Sequence, residues 1–302
     1  MRTLFLLISL LLLLPASPWA SSVPRVVVTL KPVHALVASV MAGVGTPDLL
    51  LKGGESPHRY ALKPSAARAL HRADLVVWVG PEMEGFLLRS LTGMKGQWLT
   101  LLDTRGIHVL PARRLGRLHD HQAHEHTHAG ERDGHLWLDP HNAQVIGRAV
   151  AQRLATMDPA HADQYQVNAD KLSARIEALD RQIEARIAPL RGRPFVLFHD
   201  AFQYFETRYG LHPSAILAVS PERSPGARRV REIRHLIREK GVRCVFAEPQ
   251  FRARIVDVLV EGSPTRVGVL DPLGADIPAG PDAWFRLLEG IAHQLENCLG
   301  EP

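Results

Sequence analysis

The residues that follow Asp158-Pro159 constrain this chain more than any others. Leu172, Ile176, Leu179, Ile183, Ile187 and Leu190 recur at intervals of three and four, which puts them on one face of a helix and marks a single buried stripe. The pattern runs to about Ala188, so a helix is expected within 158–190, and at roughly 1.5 Å per residue it would be on the order of 45 Å long. One compact lobe does not need such a length. The helix is therefore expected to join two lobes, 23–157 and 191–302.

Both lobes read as α/β. In the first, VVVTL (Val26 to Leu30) is a β-branched strand, and Lys31-Pro32 opens a helix through about Met41 that Gly43 can stop. DLLL (Asp48 to Leu51), LVVWVG (Leu75 to Gly80) and WLTLL (Trp98 to Leu102) supply further strands, with helical stretches from Pro64 to about His71 and from Glu84 to Leu91 between them. HLWLDP (His135 to Pro140) reads as a short strand-like piece. Asp139 then caps a helix with Pro140 at its first position, which runs to about Met157. The second lobe repeats the rhythm: the strand FVLFHD, a helix capped by Ser224 and Pro225 that ends at Gly241, and the strand VRCVFAEP ending at Glu248. A helix near Phe251 to Val260 and the strand TRVGVLDP ending at Asp271 follow. Strands alternating with helices at this spacing predict parallel βαβ units.

The first twenty residues have a different character. Arg2, an apolar run from Leu4 to Leu14, then Pro15 and small residues up to Ala20 have the layout of a secretory signal, too short to span a bilayer and cleaved near Ala20 to Ser22. The mature protein is expected to be soluble outside the cytoplasm. In such a compartment the two cysteines, Cys244 and Cys298, form either a disulfide or a pair of buried thiols, and the oxidising surroundings favour the former. The formal charge of +5 is spread over arginines interleaved with acids, as in ERSPGARRVREIRHLIREK. A nucleic-acid partner would call for a basic stripe studded with aromatics, and none is visible.

The chemistry suggested is metal binding. FVLFHD delivers His199 to the carboxyl end of a buried strand, where open α/β folds place their ligands. His58, in the turn-rich GGESPHRY, and His135, in GHLWLDP, sit in similarly ordered surroundings, and three neutral imidazoles at one point make a zinc site. Glu248 and Asp271 also end strands of the second lobe and could bind or orient a metal, while His34 on the first helix reads as a packed residue. Five of the 16 histidines, His119, His121, His124, His126 and His128, crowd one stretch bracketed by acids and by Gly130 and Gly134, which reads as an exposed loop over 119–134, either with auxiliary, weaker metal affinity or as a solvated insertion with no essential role. His124-Glu125-His126-Thr127-His128 matches the zinc-protease motif in form, but that motif needs a helix with an apolar face, and this stretch has none.

Taken together, LKPVHALV, SPHRYALKPS, ADLVVWVGPEMEGF, HLWLDP, LFHDAFQYF, PERSPGARRVREIR, CVFAEPQF and VGVLDPLG resemble the substrate-binding proteins of ATP-driven, ABC-type zinc uptake systems, within a wider group that also binds manganese. The resemblance covers nearly all of the mature chain. It implies two α/β lobes joined by one rigid helix, a periplasmic monomer, and Zn(II) held in the cleft as transported ligand for a permease in the inner membrane. It also implies His58, His135 and His199 as ligands, a Cys244–Cys298 disulfide, and no enzymatic activity. The chain departs from relatives in two places, and one of them is Asp271, at the position that supplies a fourth, carboxylate ligand in other relatives. Some zinc members carry a glutamate just before the first ligand, where this chain has Pro57, so the fourth metal position falls to Asp271 or to water. The alternatives are a three-histidine zinc hydrolase with Glu248 as general base, or a metal buffer or adhesin of the same fold.

Overall fold

Two parallel sheets of four strands carry the molecule. The computed structural model describes residues 23–52, 55–94, 96–113, 131–218, 225–249 and 254–300. The expected signal segment 1–20, the five histidines between His119 and His128, Ser224 and Phe251 lie outside these residues. The first sheet has the order β2-β1-β3-β4, from β1 (Val26–Val28), β2 (Asp48–Leu49), β3 (Leu75–Trp78) and β4 (Gln97–Thr100). The second has the order β6-β5-β7-β8, from β5 (Phe195–His199), β6 (Ala215–Ala218), β7 (Cys244–Ala247) and β8 (Arg266–Val269). Every pairing is parallel, with Val27 opposite Val76 in the first sheet and Leu197 opposite Phe246 in the second.

In each sheet the first strand lies inside and the chain steps to one side of it, then crosses to the other. The point where that direction reverses falls between β1 and β3 in one sheet and between β5 and β7 in the other. Open α/β folds bind their ligands outside the carboxyl ends of such strands.

Strand pleating sorts the core. Phe195 and Leu197 face a large apolar cluster shared with the first sheet, whereas Val196 and Phe198 face a smaller cluster under α7 (Ala227–Glu239) and α8 (Arg254–Val260). The helices α1 (Lys31–Val40), α4 (Pro140–Met157), α5 (Ala162–Ile187) and α9 (Ala283–Leu299) cover the shared cluster. All six stripe residues named above are buried, and α5 packs against α1, α4 and α9. With 26 residues α5 rises about 39 Å, and single 3-10 turns at Pro159–His161 and Ala188–Leu190 extend it at both ends. Gly147 lets α4 approach α5: a Cβ there would stand 2.9 Å from Leu172 Cδ2.

Several sequence expectations change in detail. HLWLDP is not strand-like; Leu136–Leu138 is a 3-10 turn. No sheet offers this stretch a ladder, and its side chains are buried in a bend held by Trp137 Nε1 donating to Pro272 O and Trp284 Nε1 donating to Trp137 O. Leu101–Asp103 is likewise a 3-10 turn rather than strand, and the helix expected over Glu84–Leu91 is a 3-10 turn, Gly85–Leu87, followed by α3 (Leu88–Leu91). The helix from Pro64 is α2 (Pro64–Arg72). Three elements had no counterpart in the sequence reading: α6 (Gln203–Tyr209), β6 and α9. Cys244, at the start of β7, is disulfide-bonded to Cys298 in the last turn of α9. Among the described residues no helix is long and apolar enough to cross a membrane.

Candidate metal centre

His199 is the last residue of β5, and its ring emerges at the reversal point of the second sheet. Glu248, just beyond β7 on the other side of that point, sets its carboxylate oxygens 3.1 and 3.3 Å from His199 Nδ1. His135 follows a short two-stranded stem, in which Ala112 N–H donates to Glu131 O and Asp133 N–H to Leu110 O. Asp133 Oδ1 accepts the His135 backbone N–H at 2.9 Å and lies 2.8 Å from the ring Nδ1. A carboxylate beside Nδ1 keeps the proton on that nitrogen and leaves the Nε2 lone pair for a cation. Both rings, and both carboxylates behind them, are buried.

His58 arrives differently. It stands in a 3-10 turn, Pro57–Arg59, with Pro57 buried at its start and the imidazole itself exposed. The chain on either side is tied down by Tyr60 against the Phe86 ring (centroids 5.1 Å) and by Lys63 paired with Glu55 at 2.6 Å.

The three rings meet. Their centroids are 5.7 Å apart for His58 and His135, 5.9 Å for His58 and His199, and 5.2 Å for His135 and His199. One nitrogen of each lies within 4.8 Å of the others, and no other such trio of His, Cys, Asp or Glu side chains converges among the described residues. A tetrahedral zinc with nitrogens at about 2.0–2.1 Å separates them by roughly 3.4 Å, so closure takes a movement on the order of 1 Å.

The remaining candidates fall elsewhere. Asp271 is not in the group; its oxygens accept the backbone N–H groups of Leu273 (2.9 Å) and Ala275 (2.5 Å) and hold a turn whose carbonyls, Gly274 O and Ala275 O, accept from the buried Lys31 Nζ. Burial lowers the pKa of that lysine. Glu248 stands beside the His199 ring, with its carboxylate against Nδ1. His34 is buried with Nε2 2.9 Å from Pro47 O, and burial lowers its pKa.

Sequence reasoning missed the residues around Asp133. Its spacing two before His135 was the available signal. Arg113 and α6 lie close by: Arg113 donates to Asp200 Oδ1 at 3.1 Å and to Glu206 Oε2 at 2.5 Å. Burial pushes the Asp200 carboxyl above its ordinary range and that of Glu206 up to about 7.

A family model described as "Zinc-uptake complex component A periplasmic" matches residues 26–298. The chain belongs to this family. The high-affinity zinc uptake system protein ZnuA of Brucella suis biovar 1 is 38% identical over 331 residues, covering 100% of this chain and 99% of its own length. The protein of the same name from Yersinia pestis is 34% identical over 301 residues, with 95% of each chain covered. Among solved structures, a crystal structure of ZnuA superimposes with a TM-score of 0.78 at 24% identity over 92% of this chain and 99% of that one. A laminin-binding adhesin, Lmb, from Streptococcus agalactiae superimposes with a TM-score of 0.77 at 23% identity over 91% and 99%. At such identities the superpositions speak for the fold; membership rests on the family match and the curated relatives.

Proposed function

We propose that this chain is a periplasmic zinc-binding protein that captures Zn(II) and hands it to an ABC permease in the inner membrane. In this reading the two sheets are the cores of two lobes, 23–157 and 191–302, joined by the helical segment 158–190, with zinc held in the cleft between them. Its ligands are the Nε2 atoms of His58, His135 and His199. The observation that carries the reading is the convergence of these three rings from distant parts of the chain, two of them oriented by buried carboxylates.

A set of three neutral nitrogens suits zinc, whereas a carboxylate in the third place would favour a harder ion such as manganese. Water completes the shell, since Asp271 is engaged in its turn. His135 and His199 form the fixed half of the site, and the exposed His58 closes it from solvent. The chain itself performs no chemistry on its cargo. It acts as a monomer, and the histidines from His119 to His128 serve as a weaker, auxiliary store.

The test is metal analysis and thermal melting of protein produced without a histidine tag. One zinc per chain and a zinc-dependent rise in Tm at neutral pH are expected. His199→Ala abolishes both, whereas deletion of 119–128 preserves them. Wild-type protein whose melting ignores zinc would refute the proposal.

A further inference from the structure

The stem that leads into His135 is gripped from both sides. Arg132, on its returning strand, pairs with Glu82 and Asp103 at 2.6 Å each, which fastens the stem to the N-terminal half. From the C-terminal half α6 reaches across. The Tyr204 hydroxyl sits between the two strands, accepting from Leu110 N–H at 3.0 Å and donating to Asp133 O at 2.8 Å. The Gln203 amide, oriented nitrogen-inward, donates to Asp133 Oδ2 and Pro111 O, both at 3.2 Å.

Arg113 completes this grip, and it is the member with a charge to spend. Its guanidinium forks between Asp200, the residue after His199, and Glu206 on α6, whose side chains are 5% and 4% exposed. Carboxylates so buried are strongly destabilising once their cation is removed. Asp200 continues directly from one proposed ligand, and the stem that holds Arg113 ends at Asp133, which orients another.

We propose that Arg113 is a positioning residue of the zinc site, an interlobe clasp that holds His135 and His199 at coordinating separation and so sets how long zinc is retained. The inference rests on the zinc-capture reading above and adds a residue to it. Breaking the clasp lets α6 and the stem drift apart, so the loss falls on zinc release more than on capture.

The experiment loads tag-free protein with zinc and follows transfer to a chromogenic chelator by stopped flow, beside thermal melts of the zinc-free forms. Arg113→Met, which keeps the aliphatic stem, is expected to release zinc about 10- to 100-fold faster, the usual scale for groups that orient metal ligands. Arg113→Lys recovers part of the loss, because a point charge serves one carboxylate rather than a fork. Glu206→Gln, a milder change that leaves Asp200 paired, accelerates release in the same direction by less. A purely structural role would lower the zinc-free Tm and leave the release rate alone; that pattern in Arg113→Met, or in Arg113→Lys and Glu206→Gln should the methionine variant fail to fold, overturns the proposal. Wild-type protein that takes up no zinc would instead overturn the capture reading.

Discussion

A carboxylate set behind an imidazole decides what that imidazole can do, and this chain uses the device twice, at Asp133 with His135 and at Glu248 with His199. Another buried carboxylate, Glu84, occupies the matching reversal point of the first sheet. There it accepts from the Thr29 hydroxyl at 2.5 Å and from the N–H groups of Val79 and Gly80 at 3.0–3.2 Å. Burial outweighs these donors and pushes its carboxyl up to about 7. The folded protein therefore keeps this proton where the unfolded chain, with its ordinary value of 4.5, has lost it. The contribution to stability is complete below that value and declines as pH rises towards 7. Glu84→Gln, which holds the shape without ionising, should flatten this decline and raise Tm at pH 7 by a few degrees; zinc-free melts at pH 5, 6 and 7 would show it, and an unchanged slope would rule it out. At this scale the sequence was informative about His58, His135 and His199, because strand ends and rigid turns advertise themselves in composition. It did not say what Asp271 and Glu248 face, because a polar residue at a strand end looks the same whether it faces a metal, a turn or another side chain.

Among the elements, α5 was the most legible, since a stripe repeated over so many turns admits one period. Ile183 is fully buried in that stripe, while Val167 on the same helix is 46% exposed. Ile183→Ala is expected to cost about 2–5 kcal/mol and Val167→Ala less than about 0.5 kcal/mol in denaturant unfolding. Equal losses at the two positions would mean that the stripe is not what anchors the helix. Shorter elements were harder to read for a physical reason: α6 has seven residues and β6 four, too few for periodicity to register. Trp284, Leu287, Leu288, Ile291 and Leu295 make a stripe on α9 as regular as that on α5, so its pattern was present in the sequence. HLWLDP misled because a run of apolar residues records burial and not the ladder a strand requires.

At the scale of the whole molecule, one apolar cluster runs from the first sheet through α5 to α9 without a break. A shared core of that kind leaves little room for independent swinging of its two ends, so metal loading should work through side chains and short segments. Small-angle scattering of zinc-free and zinc-loaded protein should give radii of gyration within about 1 Å of each other. A compaction of several ångströms would show a hinge that the core does not suggest. The disulfide between β7 and α9 belongs to this scale too, since it closes a span of 54 residues and restricts the unfolded chain by about 4 kcal/mol in the loop-entropy view. Such a bond forms only where thiols are oxidised. Polypeptide retained in the cytoplasm would therefore carry two alkylatable sulfhydryls and melt lower than its exported twin, so a thiol-labelling gel distinguishes molecules that completed their journey from those that never began it.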